Sequence, residues 1–409
     1  RPTAFDIAPA TTVRHAAVND FIHLSEGTTN STLIVTPAGR IIVNSGLGFE
    51  APVHKAYFDS VDRSPVRYII LTQGHVDHVG GVDVLRDADT EIVAHAQNPA
   101  QPADDLRVQP VRARRAYVAW AAALDGKRGT GSAPPPVQSR PQPTILVRDR
   151  FAFTLGGLDV EVIACTGAET PDSLLVWLPQ HRTLITSNIF SALFGHFPNL
   201  VTIRGDRYRD PLPYLATLEL VRDLGAELLV VGHGPPLRGA DVIAAELTRM
   251  HGAVQYVHDA VVAAMNGGQD VWTAMREIRL PPQLEQGEGY GTVAWSVRAI
   301  WEMYAGWFHH ESTTELYPAP PRSVYAELAA LAGGAGPLAA AAQRKAASAP
   351  LDAIHLAEVA LAADPAHRGA LSACRDAHRA LLAGASNFWE VRWLEHRIRQ
   401  LERALDEAP

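Results

Sequence analysis

The sequence predicts an α+β chain, with a layered strand-and-helix domain over residues 1–245 and an all-helical domain over residues 246–409. Three observations predict it. Short β-branched runs bounded by Gly, Pro, Asn or Asp recur through the first part. Strand signals stop near Asp241, and beyond it apolar residues return at helical spacing. The 409 residues also exceed the usual length of one compact domain.

The elements follow in order. Leu33-Ile34-Val35 and Ile41-Ile42-Val43 are apolar and flank Pro37-Ala38-Gly39, the pattern of a hairpin within the strand runs 32–35 and 40–43. Val66–Leu71 reads as a buried strand, and so do 160–164, Leu174–Leu178 and Leu228–Val231. Residues 98–148 interrupt this alternation with prolines, the Arg112–Arg115 cluster and the glycine-rich 126–131 loop. That stretch is too long for a plain connection, so it is expected to be a flexible insertion or a lid over a site. Segments 242–264, 293–307, 351–363 and 386–405 carry apolar residues at helical spacing, the last with Arg and Glu on its polar side. Helix pairs after Pro350 could pass for a degenerate repeat, but simple helix-on-helix packing is the preferred reading.

Composition narrows the function. Hydrophobic residues make up 47% and charged residues 20%, as a globular chain with a real core requires. A net charge of −8 lacks the basic footprint of a nucleic-acid binder, so the expected partner is a small molecule. Cys165 and Cys374 are too few and too distant for a disulfide framework, and each reads as a small buried hydrophobe. No apolar run reaches bilayer-spanning length, so no transmembrane segment is expected. The start at Arg1, without methionine, is read as a trimmed leader or tag, which leaves the compartment open.

The densest chemical signal is Leu71-Thr72-Gln73-Gly74-His75-Val76-Asp77-His78-Val79-Gly80-Gly81, directly after a buried strand. Loops at the carboxyl ends of strands are where layered α/β domains build sites. A lone histidine there is usually a polar surface group. His75, Asp77 and His78 together on a loop closed by glycines offer the imidazole and carboxylate ligands that zinc accepts. Two further loops complete a site. Glu169 follows the 160–164 strand within Thr166-Gly167-Ala168-Glu169-Thr170-Pro171, and His233 follows Leu228–Val231 between Gly232 and Gly234.

Gln73-Gly74-His75-Val76-Asp77-His78 resembles the His-x-His-x-Asp-His signature of metallo-β-lactamase-fold hydrolases, and 167–173 and 232–234 resemble their later ligand loops. The resemblance implies an αββα sandwich carrying two metal ions at one edge. Glu169, where many members have histidine, points to the alkylsulfatase branch. Arg114-Arg115-Ala116-Tyr117 resembles that branch's Arg-Arg-Ala-x-Tyr, and Arg204-Gly205 with Arg209-Asp210 resembles its Arg-Gly-Ala-x-x-Arg-Asp. Tyr304-Ala305-Gly306-Trp307-Phe308 and Ala363-Asp364-Pro365 resemble parts of its helical dimerisation domain. The chain as given stops before the sterol-carrier-like C-terminal domain of longer alkylsulfatases.

Two departures fall on the metal ligands. Gln73 stands where the family has its first histidine, and Asn188 aligns with a metal-bridging carboxylate. The resemblance implies one intact site of Asp77, His78 and His233, and a second of Gln73, His75 and Glu169 with Asn188 beneath both. Amides carry no charge and suit harder cations better than zinc. One tightly held zinc is therefore expected at Asp77, His78 and His233, with the second position weak, empty or taken by another metal.

The expected activity is hydrolysis of a sulfate ester or related ester by metal-activated water, with Asp77 and Glu169 as candidate catalytic carboxylates and Glu169, if freed, as general base. Arg204, then Arg115 and Arg209, are candidates for the anionic group, with Tyr117 as a neutral donor. The alternatives are a lactone, thioester or amide hydrolase on the same fold, or a ligand-binding member without turnover. His309, His310 and Glu311 are set aside as solvated or interfacial. The helical domain, with Trp295, Trp301, Trp307, Trp389 and Trp393, is expected to form a homodimer.

Overall fold

The computed structural model describes residues 13–125, 137–190 and 194–408, with backbone alone for 121–125. The expected 126–131 loop lies outside the described residues. The described chain forms two compact units, divided between Tyr304 and Ala305.

The first unit is built on two sheets. One runs in the spatial order of β1 (Arg14–Ala17), β2 (Ile22–Glu26), β3 (Ser31–Thr36), β4 (Gly39–Val43), β5 (Val66–Leu71), β6 (Glu91–His95) and β7 (Ile145–Val147). Its first four strands are antiparallel neighbours and its last four are parallel. The other sheet contains β8 (Arg150–Leu155), β9 (Leu158–Ala164), β10 (Leu174–Leu178), β11 (Thr183–Ser187), β12 (Leu228–Val231) and β13 (Leu237–Arg238). They are antiparallel except for the β11–β12 pair.

The strands read as continuous apolar runs because both faces are buried. In β10, Leu174, Val176 and Leu178 join the core between the sheets while Leu175 and Trp177 face the other way. In β12, Leu228 and Val230 point inward and Leu229 and Val231 outward. A one-residue slip would exchange the two sets, and each such side chain stabilises by about 1.5–3 kcal/mol when buried. The outer face of the first sheet, with Ile69 and Leu71, is covered by Phe58 of α1 (Ala51–Val61), Val79 of α2 (Val76–Val79), and Val82 and Leu85 of α3 (Val82–Leu85). The result is the expected αββα layering.

The outer face of the second sheet corrects the expected boundary at 245/246. It is covered by α6 (Pro211–Leu224), α7 (Ala240–Asn266), α8 (Val271–Glu277) and α9 (Val293–Ala305). Ile243, Leu247, Val254, Val297 and Ile300 share one core with Leu175, Leu229 and Val231. Loss of strand signal therefore marks the outer helical layer of the sandwich.

Among the described residues, the interruption at 98–148 holds two helices, α4 (Ala100–Arg107) and α5 (Gln109–Asp125). The second unit is helical, with α10 (Tyr325–Leu331), α11 (Ala335–Lys345), α12 (Pro350–Ala363), α13 (Arg368–Gly384) and α14 (Phe388–Glu407). Its helices meet along alanines spaced by helical turns. Ala339, Ala360 and Ala370 form one layer, and Ala346, Ala353 and Ala377 another. Trp389 is buried, whereas Trp307 and Trp393 are exposed. His309 pairs with Glu315 within its own loop. Both cysteines are free and buried, and burial pushes the Cys165 thiol up to about 12. Among the described residues, no single helix is long and apolar enough to cross a membrane.

Candidate active site

The site lies at the carboxyl ends of β5, β9, β11 and β12, where their loops meet. Beneath it, Asn44 joins the loops after β5 and β11. Its Oδ1 accepts from the Thr72 backbone N–H and hydroxyl at 3.0 Å each, and its Nδ2 donates to Ser187 Oγ at 3.0 Å. Asn44 and Ser187 both sit at positive φ, 59° and 50°, so their side chains turn under the loop. Strain of this kind persists where surrounding bonds hold it, and it concentrates at functional sites. The last loop is tied back by Asn30, whose Nδ2 donates to the carbonyls of Val231 and Gly234 at 2.9 Å each.

Glycines permit the close approach. A Cβ on Gly81 would stand 2.3 Å from the Ser45 carbonyl, and one on Gly232 would stand 1.9 Å from Asn188 Oδ1. At Gly232 a methyl group would strike the site floor, so the pairing of glycine with His233 has a steric cause.

A cavity of about 350 Å³ is lined by His75, Asp77, Glu169, Asn188, Arg204, Arg209 and His233 among others, so the three sequence-distant loops do converge. His78 lies just behind, fully buried. Its Nε2 is 3.7 Å from Asp77 Oδ2 and accepts from the Asn188 amide at 3.1 Å, and its Nδ1 faces Ser187 Oγ at 3.3 Å. Burial, the largest influence, pushes its imidazole down to about 3 against the pull of Asp77. Burial alone would raise the Asp77 carboxyl. The neighbouring His78 and His75 and a hydrogen bond from the Thr29 hydroxyl outweigh burial, and with His233 nearby they hold the carboxyl well below its usual range. Asn188 Oδ1 is buried without a hydrogen-bond partner.

The other half of the site is wired differently. Gln73 Nε2 meets His75 Nδ1 at 2.7 Å, while His75 Nε2 lies 3.5 Å from Arg204 and 3.6 Å from Asp206. Arg209 reaches Glu169 Oε1 at 3.0 Å, and both side chains are more than nine-tenths buried. Glu169 Oε2 is left without a partner. Among the described residues, no three His, Cys, Asp or Glu side chains in either half are drawn together as a ready metal-holding cluster, so the halves compare by donor chemistry.

The fit to a metal therefore differs between the halves. The carboxylate and two imidazoles of Asp77, His78 and His233 are a zinc-like donor set, and the orphaned Asn188 oxygen beside them lacks what a cation or its water would supply. In the other half a neutral amide, Gln73, stands beside His75, and the Glu169 carboxylate is already neutralised by Arg209.

Of the expected anion-binding residues, Arg204 and Arg209 line the cavity. Arg115 and Tyr117 do not, and Tyr117 is 69% exposed. The physical reason is helical phase. Gln109, Arg112, Ala113, Ala116 and Trp120 form the α5 face toward the cavity, and 115 and 117 fall on its two flanks, with Arg115 reaching Gly205 instead. Asp206, absent from the expectations, accepts from Arg112 at 3.1 Å. Its carboxyl, raised by burial, is held low overall by His75, Arg209 and Arg204. The available signal was that Asp206 stands where the branch's Arg-Gly-Ala-x-x-Arg-Asp element has alanine. Tyr290, which closes one wall of the cavity, carried no motif. Burial pushes its hydroxyl up to about 12.

Residues 24–233 match the metallo-beta-lactamase superfamily model, and residues 270–392 match the alkyl sulfatase dimerisation model. The chain belongs to the metallo-beta-lactamase superfamily, whose members are metal-binding. Within it, the chain is 30% identical to a linear primary-alkylsulfatase of Pseudomonas sp., over 74% of this chain and 60% of that protein. It is 25% identical to an alkyl/aryl-sulfatase of Saccharomyces cerevisiae, over 75% of this chain and 50% of that protein. The chain thus spans half to three fifths of the length of these relatives. In fold it matches a double mutant of the sec-alkylsulfatase PisA1 with a TM-score of 0.86 at 20% identity, covering 98% of this chain and 68% of that one.

Proposed function

We propose that the chain is a metal-dependent hydrolase of sulfate esters carried on apolar chains. The observation that carries this reading is a single cavity that has carboxylate and imidazole donors at one end, Arg204 beside them, and apolar side chains along its wall. The relatives' names, alkylsulfatases and an alkyl/aryl-sulfatase, support the same substrate class.

Asp77, His78 and His233 would hold one zinc ion, with Asn188 beneath it. A zinc ion bound there supplies Lewis-acid activation of water and of the ester. The chain's own side chains do the rest. Arg204, with 21% of its side chain exposed, offers a guanidinium fork to the sulfate oxygens. Ala113, Ala116, Trp120, Val76 and Leu47 would take the alkyl chain and exclude water from the ester. The α4–α5 segment then serves as a cavity wall, the role expected of a lid. Exposed Trp307 and Trp393 and the match to a dimerisation model support a homodimer formed through the helical region.

The test is sulfate release from dodecyl sulfate by purified protein, run beside an N-acyl lactone and a thioester. Release that a chelator abolishes and zinc restores is expected. Turnover of the lactone or thioester alone would overturn the substrate class, and chelator-insensitive turnover would overturn the metal.

A further inference from the structure

We propose that the half-site of Gln73, His75 and Glu169 is closed to metal by the chain itself, with the guanidinium of Arg209 as its resident cation. The inference rests on the single-metal reading above and assigns the other half of the site.

Each donor that a second ion would need is engaged. His75 has two ring nitrogens. Nδ1 meets Gln73 at 2.7 Å, and Nε2 lies between Arg204 at 3.5 Å and Asp206 at 3.6 Å. Glu169 Oε1 holds Arg209 at 3.0 Å. Among the buried atoms of these three side chains, only Glu169 Oε2 lacks a partner, and one oxygen does not make a chelate.

The charges explain why this arrangement is stable. A buried carboxylate needs an opposite charge, which a second metal would provide where a second carboxylate and a histidine completed its ligand shell. With Gln73 and Asn188 in those places the shell loses anionic and imidazole donors, so Glu169 needs another cation. Arg209 provides it with 8% of its side chain exposed, and it is fixed by a second bond to the Asn199 carbonyl at 3.0 Å. Arginine suits this role because its charge does not titrate away on burial. Asp206 plays the matching part for His75. It is anchored by Arg112 at 3.1 Å, and it offers a carboxylate where a metal would otherwise orient the ring. Glu169 therefore anchors Arg209, and is neither a metal ligand nor a free base.

Counting bound metal tests this without relying on turnover. Wild-type protein, Gln73→His, the double variant Gln73→His/Arg209→Met and Glu169→Gln are loaded with zinc, freed of excess, and analysed by mass spectrometry of the metal. Melting curves report whether each is folded. Gln73→His is expected to bind as much zinc as wild type, because Arg209 still occupies Glu169. The double variant is expected to gain about one further equivalent, and Glu169→Gln to keep the wild-type content. A gain in Gln73→His alone, no gain in a folded double variant, or a loss of zinc in Glu169→Gln would each overturn the inference. Should the double variant fail to fold, Glu169→Gln decides. Wild-type protein that binds no zinc would break the metallohydrolase reading, while the differences between variants would still decide this one.

Discussion

His75 and His78 stand three residues apart on one loop, and their surroundings are opposite. His78 is fully buried, flanked by Asp77 and Asn188, and kept neutral by burial. His75 lines the cavity, with Gln73 on one ring nitrogen and Arg204 and Asp206 near the other. The same residue type thus serves two purposes, one as a neutral donor beside a carboxylate and one as a link in a charged network. Residue spacing makes them look equivalent, and only the groups that the fold brings from residues 188, 204 and 206 separate them.

The largest effect that follows is for His78→Ala. It removes a donor from the half proposed to hold zinc, so bound zinc and sulfate release should fall by more than the roughly 10- to 100-fold that loss of an outer supporting group costs. Metal analysis and turnover together check this, and retention of zinc would erase the contrast between the two histidines.

Acid should act on the same buried group. The folded His78 imidazole is pushed down to about 3, whereas an unfolded histidine takes its proton near 6.5. Between these values the unfolded state binds more protons, so the stability of chelator-stripped protein should fall as pH drops from about 6.5 toward 3. Asp77 acts in the same direction at the lower end, because its folded carboxyl is held below its usual range. Denaturant midpoints across this range would measure the slope, and a flat profile down to pH 4 would contradict it.

Arg204→Ala should lower kcat/KM for an alkyl sulfate by about 10²-fold, the cost of losing one aligned donor to a developing oxyanion. Arg204→Lys should recover only part of it, since an ammonium lacks the planar fork. The smallest effect is expected for His75→Ala, which should leave the zinc content unchanged and cost about 1–3 kcal/mol of stability by stranding its buried partners. Thermal melts with metal analysis would sharpen the comparison, and loss of zinc would place His75 among the ligands.

Much of this architecture is legible along the chain. Both-face apolar strands such as Leu174–Leu178 and Leu228–Val231 announce buried sheets, and glycine beside His75 and His233 marks loops pressed against a floor. Other features are less direct. Arg115 and Tyr117 carry the motif resemblance, but α5 turns 109, 112, 113, 116 and 120 toward the cavity, a phase that the motif does not encode and that helical spacing does. Asp206 matters because its loop returns to His75, a long-range contact without a local pattern. The boundary shifted because α7 to α9 are amphipathic helices whether they open a new unit or cover the second sheet, and only packing distinguishes these arrangements.

The Asn30 clasp has a temporal consequence. Asn30 holds the carbonyls of Val231 and Gly234 across 201 and 204 positions of chain. During synthesis the first histidine loop emerges long before its partners, so the cavity cannot close until residue 234 has left the ribosome. At roughly 5–20 residues per second, this leaves the donors of the early loop apart from His233 for roughly 8–30 seconds. A ligand that needs both loops could therefore be held only after every strand but β13 has been made, while the outer layer of α7 to α9 is still to come.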